Sequence, residues 1–88
     1  MMKPFKIIHV AEQPESLALF KKISAENKSV ELAGSFPNAV DALEFVNQHP
    51  VDLVFIDLVM PSPYNGLWLA DQLQDKNTAI VFLTAYAE

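Results

Sequence analysis

An α/β sandwich built on a parallel sheet is the fold class this sequence predicts, and three observations lead to it. Short apolar, β-branched runs alternate with longer stretches of helical periodicity, reading β-α-β-α-β-α-β from Phe5 to Leu83. Strands alternating with helices imply parallel crossovers. The run Leu53-Val54-Phe55-Ile56 is too short for an ordinary helix and holds no polar residue, the pattern of a strand buried on both faces. Asp57 closes that run, which sets a carboxylate at the carboxyl end of a central strand, where open α/β sheets bind ligands.

The first strand is Phe5 to Val10 (FKIIHV). Ala11-Glu12-Gln13-Pro14 ends it, and Pro14 with Glu15-Ser16 suits the first turn of a helix. Leu17, Phe20 and Ile23 recur at three-residue steps between charged residues, which predicts one buried helical face over about three turns. Asn27-Lys28 breaks that pattern. Val30 to Phe36 (VELAGSF) is a weaker strand placed nearer the sheet edge, because Gly34 lowers its propensity.

Pro37-Asn38 opens a second helix with Asn38 as N-cap. Ala39, Leu43 and Val46 form its inner stripe, widened by Ala42 and Phe45, and Gln48-His49-Pro50 stops it. The third strand runs from Val51 to Ile56. A third helical pattern begins at Gly66, with Leu67, Ala70 and Leu73 along one side. Asp75-Lys76-Asn77 is turn-like, and Ala79 to Leu83 (AIVFL) is a fourth buried strand running into Thr84-Ala85.

Eighty-eight residues allow one small domain. Hydrophobic residues at 51% against 19% charged describe a globular chain and exclude disorder. No apolar run approaches the roughly 18 residues a membrane span requires, and Met1-Met2-Lys3-Pro4 lacks the apolar segment of a secretory signal. The absence of cysteine excludes disulfides and thiolate metal sites and fits a cytoplasmic protein. A net charge of −5 argues against direct contact with nucleic acid and is compatible with cation binding.

Asp57 is followed by Met60-Pro61 and a loop rich in Pro, Ser and Asn that reaches Gly66. This stretch resembles the phosphoacceptor segment of bacterial response-regulator receiver domains, where an Asp ending the third strand is followed three and four residues on by Met-Pro and then by Gly. Gly66 lies one residue later than the usual pattern, so the loop is one residue longer. The resemblance implies a three-layer sandwich of flavodoxin-like receiver topology with strand order 2-1-3-4. Residues 1–88 would form a partial receiver domain, the fifth strand and last helices missing. Exposed apolar surface and an open edge strand would then favour a dimer or a domain swap.

The resemblance also assigns roles. Asp57 is the acceptor of a phosphoryl group from a sensor histidine kinase, in a signalling switch and not a turnover enzyme. Mg²⁺ would be held by Asp57, an acid after the first strand (here Glu12) and the backbone carbonyl of Val59. Thr84 matches the hydroxyl that contacts the acquired phosphoryl group, with Ala85 its small neighbour. Thr84-Ala85-Tyr86 also resembles receivers joined to a DNA-binding output domain of the LytTR type, outside this chain. Phosphoryl transfer to a carboxylate needs a nucleophilic oxygen, a divalent cation and donors aimed at transition-state charge, and the rim of a parallel sheet brings such groups together.

Three features depart from the family. Its usual acidic pair is Ala11-Glu12 here, and Glu12 is a methylene longer than the usual Asp, which shifts where its oxygens can reach. The Lys and aromatic residue of the family's fifth strand have no counterpart. Ala11 therefore supports an alternative, a pseudo-receiver that keeps the fold as an interaction module without using the metal or phosphorylation site. A flavodoxin-like enzyme or nucleotide binder is disfavoured by the two glycines and the lack of a Gly-rich first loop. Plainer roles stand beside the functional ones: Asp57 as a loop or cap acid, Glu12 as a helix N-terminal acid, Thr84 as a strand-ending β-former. His9 reads as a core or edge residue, Asp52 as a turn or capping acid, Trp68 as packing, and the Leu17/Phe20/Ile23 stripe as core.

Overall fold

The structure, a computed structural model, describes residues 3–83. The elements follow in the expected order: β1 Phe5–Val10, α1 Pro14–Ala25, β2 Val30–Phe36, α2 Ala39–Gln48, β3 Leu53–Asp57, α3 Gly66–Gln72 and β4 Ala79–Leu83. Every strand pairing is parallel and the sheet order is β2-β1-β3-β4, the order the resemblance implies. Asp57 ends β3 in register with Leu83 of β4, and Val10 at the end of β1 sits beside Ile56. The acid therefore stands at the carboxyl rim between β1 and β4.

Strand alternation divides the side chains between two faces. Ile8, Val10, Val54 and Ile56 point to one side and form the core with Ala39, Ala42 and Val46 of α2, Leu69 of α3 and Leu73 at the C-cap of α3. Ile7, His9 and Phe55 point to the other, where α1 covers them: the Phe20 ring stacks on His9 at 4.1 Å and leans on Phe55 at 5.2 Å. These are the three layers. Each fully buried Ile or Leu in the first set contributes about 1.5–3 kcal/mol, which makes the α2/α3 side the main source of stability.

Several boundaries and burial assignments differ from the expectation. β3 begins at Leu53, not Val51, because the peptide at Asp52 closes the sheet end: Asp52 N–H donates to the Lys6 carbonyl at 2.8 Å, and the Asp52 carboxylate accepts from Lys6 N–H at 2.8 Å. Asp52 is thus a capping acid, as read. β3 is fully buried on the α2/α3 face only, at Val54 and Ile56, with Leu53, Phe55 and Asp57 half-buried on the α1 face. β4 is an end strand of the described sheet, and Phe82 is 41% exposed, so it is not the buried strand expected.

Two helical stripes are out of phase with the expectation. In α1, Leu17 and Phe20 are half-buried, but Ile23 is 58% exposed and Ser24 takes the inner position. At 3.6 residues per turn each three-residue step falls about 60° short of a full circle, so two steps from Leu17 reach about 120° off the face while Ser24 returns to within about 20°. In α3 the buried residues are Gly66 and Leu69, with Leu73 buried at its C-cap, whereas Leu67 is 68% exposed. Leu67 stands about 100° from Gly66, and Gly66 is the residue seated against the sheet.

Local hydrogen bonds fix the helix starts. Asn38 Oδ1 accepts from Asp41 N–H at 2.8 Å, and Asn65 Oδ1 accepts from Leu67 and Trp68 N–H at 3.1 and 3.2 Å. α1 instead begins with Pro14 and has no side-chain cap at Gln13, which Pro's missing N–H makes tolerable. Asn38→Ala is expected to lower stability by about 1 kcal/mol, seen as a lower urea midpoint at unchanged slope. An unchanged midpoint would mean water replaces the cap at no cost.

Candidate functional site

Asp57 reaches the rim because β3 is parallel to β1 and ends one residue past Ile56. Beyond it the chain turns at once. Leu58 N–H still donates to the Leu83 carbonyl at 2.9 Å, and Met60 N–H closes a tight turn onto the Leu58 carbonyl at 3.0 Å. Met60 is 4% exposed and packs in the core, so it anchors the loop, while Leu58 and Val59, the first two residues of the turn, are half-exposed. Asn65 and Gly66 then return the chain to α3.

The carboxylate is partly accessible, its side chain 15% exposed. His9 Nε2 lies 3.0 Å from Asp57 Oδ1, and the His9 side chain is 1% exposed. A carboxylate only accepts, so Nε2 carries the hydrogen and donates. The other ring nitrogen, Nδ1, is buried without a partner among the described residues. Beside the pair lies a shallow, mainly apolar recess of about 240 Å³, walled by Leu19, Phe20, Ile23 and Leu83, with Ser16 at its edge.

Of the expected site residues, Asp57 ends β3, Val59 lies two residues on in the loop that follows, and Glu12, partly buried, lies on the loop after β1. Thr84 and Ala85 lie outside the described residues. Ala11 is fully buried, and its N–H donates to the Phe36 carbonyl at 3.0 Å. The residue that sequence reading missed is His9, taken for core but in contact with the acid. One signal could have shown it: His9 is the polar residue among the four buried positions of β1, Ile7 to Val10, and the register brings it level with Phe55, two residues before Asp57 on the same face.

Comparisons with known proteins place the chain. Residues 7–88 match the model of the response regulator receiver domain, and the chain belongs to that family. It is 36% identical over 78 residues to an uncharacterized response regulatory protein of Yersinia pestis, covering 88% of this chain and 32% of that protein. It is 34% identical over 65 residues to the transcriptional regulatory protein YpdB of Escherichia coli K12, covering 72% of this chain and 26% of that protein. The chain thus spans about a third or less of these relatives. The response regulatory domain of protein mrkE from Klebsiella pneumoniae superposes with a TM-score of 0.80 at 30% identity, covering 96% of this chain and 70% of that one.

Receiver domains are signalling modules of two-component systems, which pair with histidine kinases and with output domains. Members of the family typically bind Mg²⁺ at the phosphorylation site. The donors here are hard oxygens on one rim, which suits a cation that keeps several waters. The set is thin, because Ala11 supplies no carboxylate and His9 engages one oxygen of Asp57. Among the described residues no three His, Asp or Glu side chains stand close enough to share a metal ion, so a fitting cation would rest on the Asp57 carboxylate, Glu12, backbone carbonyl and water. No helix of the described residues is long and apolar enough to cross a membrane.

Proposed function

We propose that this chain is a phosphorylatable receiver, with Asp57 accepting a phosphoryl group from the phosphohistidine of a sensor histidine kinase. The observation that carries this reading is the partly accessible Asp57 carboxylate at the end of β3, followed by the turn that Met60 anchors, in a chain of this family. In the transfer, an Asp57 oxygen attacks phosphorus in line with the departing imidazole nitrogen. The P–N bond breaks with its electron pair going to the imidazole. Asp57, Glu12 and the Val59 carbonyl would hold Mg²⁺, which when bound supplies positive charge against the phosphoryl oxygens. Thr84 would donate its hydroxyl to the acquired group.

The wider assignment follows from the same reading: a cytoplasmic switch whose output lies in another domain and is transcriptional, a reading supported by the name of the Escherichia coli relative. Intact mass of the full-length protein that carries this sequence tests it, after acetyl phosphate with Mg²⁺. One phosphoryl group is expected on the native chain, with none on Asp57→Asn and none in EDTA. A folded native protein that gains nothing would remove the acceptor role and leave an interaction module.

A further inference from the structure

His9 stands where it can act on the chemistry of Asp57, and we propose that it is a built-in hydrogen-bond donor that shortens the lifetime of the phosphorylated state. The proposal rests on the acceptor role given to Asp57 above and adds a residue that limits how long the signal lasts. Three observations carry it. His9 Nε2 is 3.0 Å from Asp57 Oδ1. The ring is buried and clamped by the stack on Phe20, which itself leans on Phe55. Nδ1 has no partner among the described residues, so among them the polar contact of this buried ring is the one with Asp57.

The direction of the effect follows from where charge sits. With His9 on Oδ1, Oδ2 is the oxygen left to attack phosphorus. In the acyl phosphate Oδ1 is a neutral carbonyl oxygen, and hydrogen bonds to neutral acceptors are roughly half as strong as those to carboxylate. In hydrolysis a water oxygen attacks phosphorus, the P–Oδ2 bond breaks, and its electron pair returns to the carboxylate. The water's proton leaves with the orthophosphate or to solvent. Negative charge therefore grows on the Asp57 carboxylate as the bond breaks, and a fixed donor at Oδ1 strengthens its hold on the transition state. In the forward step the carboxylate starts charged and loses charge, so the same donor opposes labelling.

Removing the donor while keeping a flat ring against Phe20 tests this. In His9→Phe, at one fixed Mg²⁺ concentration, the half-life of the Asp57 phosphoryl group is expected to lengthen roughly threefold to tenfold, and labelling by acetyl phosphate to quicken. His9→Gln carries an amide N–H near the Nε2 position and is expected to restore values near those of the native chain. A merely structural role for His9 would not move the two rates in opposite directions. An unchanged or shorter half-life in folded His9→Phe would overturn the proposal, as would failure of His9→Gln to restore it. If His9→Phe does not fold, His9→Met carries the same comparison. A folded native chain never labelled at Asp57 overturns both this proposal and the acceptor reading, whereas labelling with an unmoved half-life overturns this one alone.

Discussion

Gly66→Ala is expected to destabilise the chain by about 1–2 kcal/mol, although alanine is the better helix former. A Cβ built at Gly66 stands 2.6 Å from Ile56 Cγ2 and 3.5 Å from the Asp57 carbonyl oxygen. Helix propensity and chain entropy favour alanine by about 0.4–1 kcal/mol. Overpacking a tight core costs about 1–3 kcal/mol, and Ile56, fully buried, has nowhere to retreat. The clash wins. Ile56→Ala alone is expected to cost about 2–5 kcal/mol through lost transfer energy and a cavity, a large share of the roughly 5–15 kcal/mol available to a small domain. The double variant Gly66→Ala/Ile56→Ala removes the atom that clashes, so it is expected to lie above the sum of the singles by more than about 0.5 kcal/mol. Urea unfolding of the four proteins measures this. Strict additivity would show that Gly66 and Ile56 do not share the seam, and that α3 is placed by something else.

The same seam explains what could be read from the sequence and what could not. β1, β2 and β4 match the expected bounds residue for residue, because polar and turn-forming residues bracket each of these runs. Asp57 at the rim followed from that. Helix phase did not follow. Ile23 and Leu67 are apolar and at helical spacing, yet both face outward, because the inward direction is set by what seats against the sheet, Phe20 on His9 and Gly66 on Ile56. Those contacts join residues far apart in sequence. The His9–Asp57 pair spans 48 positions and becomes visible only once β1 and β3 are in register. Asn65 was likewise read as loop filler, since a cap shows itself only when the helix it starts is placed. Thr84, the expected phosphoryl-contacting hydroxyl, lies outside the described residues.

Ala11→Asp is expected to make the stability of the chain strongly dependent on Mg²⁺. Ala11 is fully buried, and the register that sets Val10 beside Ile56 carries it to the level of Asp57. A carboxylate added there is withdrawn from water near another carboxylate. Without a counter-ion it costs about 1–3 kcal/mol or drives one of the pair to hold a proton. The native chain escapes that penalty, because Asp57 already accepts from His9 and Ala11 brings no charge. With the second acid present a divalent cation offsets the repulsion and binds tighter. A free cation concentration one hundred times its Kd returns about 2.7 kcal/mol, and each kcal/mol moves Tm by roughly 4–8 °C in a domain of this size. Thermal unfolding in EDTA and in Mg²⁺ therefore separates the two proteins. The native chain should shift little, and Ala11→Asp should melt lower in EDTA and recover by ten degrees or more, roughly, in excess Mg²⁺. Equal insensitivity of both would place residue 11 outside any metal site. A native chain that already shifts as far as the variant would show that Glu12, Asp57 and the Val59 carbonyl suffice, and that the missing acid is no barrier to a working receiver.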